Sequence, residues 1–158
     1  MLTHSHATVI RRRAAARTAG GARGNDVWEA IEAYFAARAD LKALLSDGKL
    51  WLDEAPQGTV LPYATFTRVS EVMEDRTTAF RKFRAIVQFS LHHWTPKRAK
   101  DLCYAFETAF TGAPLVAFNT PVLHCLPGNP LSALGEGKGD RGRDCRIEMI
   151  EFEILYTK

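Results

Sequence analysis

The chain has 158 residues, 46% of them hydrophobic and 25% charged, the composition of one ordinary globular domain. No apolar run approaches the roughly 18 residues that cross a bilayer, and Met1 to Arg23 lacks the apolar stretch of a secretory signal. Neither membrane insertion nor general export is expected. Three widely spaced cysteines, Cys103, Cys125 and Cys145, form no CxxC pair, which argues against a disulfide framework and for a reducing compartment.

The net charge of +3 is unevenly placed. Residues 1–24 hold Arg11, Arg12, Arg13, Arg17 and Arg23 and no acid, leaving 16 basic and 18 acidic residues in the rest. The basic balance therefore belongs to an arm, and it makes no general case for nucleic-acid binding by the domain. Residues 1–24 are rich in Ala, Arg, Gly and Thr, with few large apolar groups after Ile10. They cannot bury enough surface to offset chain entropy, which predicts a mobile arm followed by one domain over residues 25–158.

Asn25 or Asp26 can cap a first helix, and apolar residues then recur near helical period at Val27, Ile31, Tyr34, Phe35, Leu41, Leu44 and Leu45. Asp40 is read as a break between two helical pieces, and Asp47-Gly48 as the turn that ends them. Leu50 and Leu52 suggest a short strand, Pro56-Gln57-Gly58 a turn, and Tyr63 to Val69 a longer strand. Residues 70–81 are polar and mixed in sign and read as a loop. The clearest strand follows, with Phe83, Ala85, Val87, Phe89 and Leu91 on one face at period two.

Thr95-Pro96 opens a second helix whose buried stripe is Ala99, Leu102, Cys103, Phe106 and Phe110. Pro121 to Leu126 reads as a fourth strand, and residues 127–144, with five glycines, as a long flexible excursion. In the final strand, Cys145 to Thr157, the apolar pattern changes phase. Cys145, Ile147 and Met149 precede Ile150, Phe152, Ile154 and Tyr156. This predicts either a bulge near Met149 or burial on both faces, the second being expected if a neighbouring subunit covers one side. The order is α-β-β-β-α-β-β. The predicted architecture is α+β, a mainly antiparallel sheet of about five strands with both helices on one face.

That order, with the segment LDEAPQGTVLPYATF, resembles the tail-completion or tail-terminator family of long-tailed bacteriophages and prophages. The residues that carry the likeness are Ala55, Pro56, Gln57, Gly58, Leu61, Pro62 and Tyr63. FRAIVQFSLHHW running into Thr95 to Phe110 is similar to a later strand-into-helix passage of the same family. The resemblance implies a structural virion protein with no enzymatic activity and no cofactor. It implies a ring, usually a hexamer, that caps the finished tail tube and joins it to the head connector. The implied partners are further copies of the chain, the tail tube protein, a connector or stopper, and DNA in the channel, with assembly in the host cytoplasm and no membrane. The Arg-rich arm and the Gly-rich excursion depart from the family pattern.

The chemistry-bearing residues fit no enzyme signature. His92 and His93 are adjacent on a strand and point to opposite faces, so they do not share a metal ion easily, and His124, Cys125, Cys103 and Cys145 lack paired-ligand spacing. Gly135 to Gly142 lacks the spacing of a phosphate loop, and Ser90 and Ser132 lack a GxSxG setting. Glu71, Glu74, Asp75 and Arg76 are read instead as a solvated loop meeting a neighbour, and Lys138, Arg141 and Arg143 as groups that reach a partner or line a ring opening. Phe152 and Tyr156 join this set as interface candidates on the two-phase strand. Arg11, Arg12, Arg13 and Arg17 stay open to several readings: a tail without a strong role, salt-sensitive contacts to DNA phosphates, docking on an acidic partner, or a transit peptide. Two rivals to the terminator reading are a head–tail connector or stopper of the neck and a basic-armed nucleic-acid-binding domain.

Overall fold

The computed structural model describes residues 25–76, 79–138 and 144–158. The predicted arm, with its arginines, and the candidates Arg141 and Arg143 lie outside the described residues. Two helical pieces open the domain, α1 (Val27–Ala37) and α2 (Ala39–Ala43). Asp26 caps α1 by accepting from the N–H groups of Trp28 at 3.0 Å and Glu29 at 2.9 Å, while Glu29 accepts from the Asp26 N–H at 3.0 Å. This reciprocal capping box satisfies backbone donors that the helix itself leaves unpaired. The break falls at Arg38, two residues before the predicted Asp40. The Arg38 guanidinium grips the Asp40 carboxylate at 2.6 and 2.8 Å and the Tyr34 hydroxyl at 2.7 Å.

The strands are β1 (Leu50–Leu52), β2 (Tyr63–Arg76), β3 (Arg81–His93), β4 (Val116–Ala117), β5 (Thr120–Pro121), β6 (His124–Pro127), β7 (Leu131–Lys138) and β8 (Asp144–Thr157), with α3 (Pro96–Phe110) between β3 and β4. The main sheet runs β1-β2-β3-β8-β6, and β7 also pairs with β8. β6 lies beside Phe152–Leu155 of β8 and β7 beside Asp144–Met149, so the two occupy one edge in succession. Every pairing in this sheet is antiparallel except β1 with β2.

β3 shows why one face holds the core. Ala85, Val87, Phe89 and Leu91 are buried, and the alternate residues are half-buried. The opposing residues of β8, Ile154, Phe152, Ile150 and Glu148, share that face. Phe89 is the hub: its ring lies 6.1 Å from Phe66, 5.6 Å from Phe152, 5.7 Å from Phe106 and 4.7 Å from Phe110. α1 closes the layer through Phe35 on Phe106 and Tyr34 on Phe110. The α+β class and the helices on one face thus match the prediction.

Four expectations need correction. Residues 70–81 are not a loop: β2 continues to Arg76 and β3 starts at Arg81, and the pair forms a long hairpin. On β2 the residues beyond Ser70 are exposed on both faces, so they carry no apolar alternation for the sequence to reveal. Within residues 127–144, Leu131–Lys138 is a paired strand and not an excursion. The segment before β6 folds into the small β4–β5 hairpin and not into one strand from Pro121. The β8 pairing with β3 runs without interruption from Arg146 to Thr157, so no bulge accounts for the change of phase. Instead Ile150, Phe152, Ile154 and Tyr156 face the helices, while Leu155 is 8% exposed and Ile147 and Met149 half-buried on the opposite side.

The β4–β5 turn places Phe118 at φ 52° and Asn119 at φ 62°, as a type I′ hairpin requires. Asn tolerates this region and Phe does so at a cost. Phe118 is held there by its N–H bond to the Asn25 carbonyl at 2.6 Å and by its ring lying 5.8 Å from Tyr156.

Candidate assembly surface

After Arg68, β2 becomes largely exposed, while Phe83 and Ala85 of β3 opposite it stay against the core. The hairpin's apolar residues Val69, Val72, Met73 and Phe80 are each about half exposed or more. β2 is bulged twice, at Val69 and Glu74, leaving Ser70–Met73 in regular pairing between them. Charged groups brace it at two levels. At the base, Glu71 accepts from the Tyr156 hydroxyl and from Lys158 Nζ at 3.0 Å. Burial pushes the Glu71 carboxyl up, but these two donors outweigh it and hold the group below the usual carboxylate range. Burial and the Glu71 carboxylate both push the Tyr156 phenol up. Further out, Glu74 pairs with Arg84 and with Lys82 at 3.8 Å. Arg84 also reaches Glu153 at 3.6 Å, and Glu153 lies 3.0 Å from His124.

Of the sequence candidates, the structure therefore brings Glu71 and Tyr156 into direct contact and sets Glu74 in a neighbouring ion-pair chain. Asp75 and Arg76 are exposed at the outer end of β2. Lys138 ends β7 on the opposite side of the sheet. Phe152 and Tyr156 are 0% and 1% exposed, buried by the chain's own helical layer and by Phe83 and Phe118. Reading residues one at a time missed Lys82, Arg84, His124, Glu153 and Lys158. The usable signal was cross-strand register, which is invisible until 70–81 is recognised as strand.

The sheet face away from the helices carries Tyr63, Thr65, Ile86, Gln88, Ser90, His92, Ile147 and Met149. Among the described residues the helices pack on the other face. Tyr63 stacks on His92 with ring centres 4.3 Å apart, and Cys145 Sγ lies 3.7 Å from His92 Nδ1. Burial lowers the His92 pKa to about 4 and pushes the Cys145 thiol up, so the pair is neutral. A nucleophilic cysteine needs the opposite, a thiolate beside an imidazolium.

A groove of about 380 Å³ opens between α3 and β7, lined by Lys100, Cys103, Tyr104, Glu107, Ser132 and Glu148. Glu148 is 5% exposed, and Ser132 Oγ donates to its carboxylate at 2.7 and 2.8 Å. Burial raises the Cys103 thiol to about 11. No imidazole contacts Ser132 or Glu148 among the described residues, so the pair lacks the base-to-nucleophile relay of a hydrolase. No three His, Cys, Asp or Glu side chains are grouped so as to hold a metal ion among the described residues.

The described residues thus present exposed apolar groups on the outer part of β2, a sheet face on which no described helix packs, and braced charges. The model of the family described as tail completion protein gp17 matches residues 29–134, more than half of the chain. The chain belongs to that family. The tail-completion match runs from α1 into β7 and includes the whole hairpin; β8 lies beyond it. A chain from the virion of a native gene transfer agent particle has a similar fold, with a TM-score of 0.58 and 17% identity over 82% of this chain and 94% of its own length. A second solved chain is a weaker match, with a TM-score of 0.44 and 10% identity over 80% of this chain and 88% of its own. No curated protein matches.

Proposed function

We propose that this protein is a structural subunit of a phage or phage-like virion that completes the tail, forming a ring that caps the tail tube and joins it to the head connector. Membership of the tail-completion family carries this reading. The fold shared with a chain of a gene transfer agent virion is consistent with it. The sheet face on which no described helix packs, and the exposed apolar residues Val69, Val72, Met73 and Phe80, supply contact area of the kind a ring subunit uses on neighbours. Its action is assembly: one face of the ring stops polymerisation of the tube, and the other is read by the connector.

Electron microscopy of particles carrying a small tag at the C-terminus, after Lys158, tests the location. The expected result is label at the head-proximal end of the tail. Label at the distal tip, along the tube, or nowhere on the particle contradicts the proposal. A connector or stopper role predicts label on heads that never received a tail, and that outcome would replace this reading.

A further inference from the structure

We infer that neighbouring copies of this chain join by strand pairing, the unpaired edge of β2 (Thr67–Arg76) lying antiparallel to the outer edge of β7 (Leu131–Lys138) of the next copy. The inference rests on the ring-forming reading and specifies the contact within it. β1 pairs only with Ala64–Phe66 of β2, and the Phe66 carbonyl also accepts from the Asp53 N–H at 2.8 Å. From Thr67 onward β2 has β3 on one side and no strand on the other among the described residues. On the far side of the sheet, β7 pairs with β8 and has no outer partner among the described residues. β6 is the less available part of that edge, because the Cys125 carbonyl accepts from the Gly112 N–H at 2.9 Å. Unpaired edges of this length are a template for another strand, and native proteins cover them or use them.

The directions of the strands select the partner. β2 and β8 run one way, and β3, β6 and β7 the other. Two copies set side by side in the same orientation therefore present β7 antiparallel to β2, with both helical layers on one side. Pairing β2 with another β2 needs a two-fold axis and closes at two copies. Unlike edges repeat from copy to copy and close into a ring. Val72 and Leu131, 57% and 56% exposed, lie on the helix-free face of their strands, so the same pairing brings apolar side chains together across the joint. The free part of β2 is level with Glu151–Thr157 of β8, whereas β7 is level with Asp144–Met149. The strands must then slant across the ring, as they do in closed sheets.

The test is cross-linking in purified particles that carry Val72→Cys and Leu131→Cys on one chain, using a short bismaleimide that tolerates a register error of a residue or two. Cys103, Cys125 and Cys145 are buried, and the unsubstituted chain is the background. The expected result is a ladder of covalent multimers ending at the ring, and no ladder from either single variant. A dimer from Val72→Cys alone means two-fold β2 pairing and overturns the inference. Native mass spectrometry showing an intact multimer, without a ladder from the double variant, overturns it while the ring reading stands. Absence of the wild-type protein from particles, or a strict monomer there, overturns the ring reading itself. Both positions are exposed, and an unfolding curve matching the parent's confirms that the double variant is folded.

Discussion

Asp26 and His92 show how single residues set stability and its pH dependence. Asp26→Ala removes both side-chain bonds to the first turn of α1 and the return bond loses its geometry, so a loss of about 0.5–2 kcal/mol is expected in urea unfolding. An unchanged midpoint would mean the capping box is not formed in solution. His92 has its folded pKa lowered to about 4 by burial, against about 6.5 in an unfolded chain. Between those values the unfolded state binds a proton that the folded state does not, so stability falls as pH drops from about 6.5 towards 4 and is complete above 6.5. Glu71 acts in the same direction at lower pH: its depressed carboxyl contributes stability that is lost as pH falls through its folded pKa. His92→Phe keeps a ring against Tyr63 and removes the first titration. The variant should lose less stability than the parent between pH 7 and pH 5 in parallel melts. An equal loss would show that His92 is solvated. The cap was legible because Asp26 and Glu29 are local in sequence; the His92 environment was not, because Tyr63 and Cys145 reach it from β2 and β8.

At the level of elements, the helical layer and the hairpin differ in what holds them. Phe89→Ala empties the centre of an aromatic cluster drawn from β2, β8 and α3, and a cost of about 3–5 kcal/mol is expected. Glu74→Gln cuts ion pairs whose cations are well exposed, and less than about 1 kcal/mol is expected. Urea unfolding of the two variants checks the contrast. A loss from Glu74→Gln as large as that from Phe89→Ala would place the hairpin inside the cooperative core. The same difference explains what the sequence revealed. β3 and α3 announce themselves because burial on one face imposes period two or a helical stripe. The outer half of β2 has no buried face, so its strand character rests on pairing with β3 and looks like loop composition. β7 was hidden in the same way, by glycines in a strand whose one partner among the described residues is β8.

For the whole molecule, the α+β layout and the one-sided helices follow from patterns within single segments. The parallel seat of β1, the shared edge of β6 and β7 and the open edge of β2 depend on which segments meet across the chain, and no local pattern encodes them. Among the described residues, those long-range choices leave a sheet with two unlike unpaired edges and one face on which no helix packs. Unpaired edges of this kind are what the proposed ring would use. The most direct test of the tail-completion role is to delete the gene and measure tail lengths and head attachment by electron microscopy. Unattached tails with a broad or extended length distribution are expected, restored to a single length by the wild-type chain in trans. Tails of normal, uniform length joined to heads would contradict it.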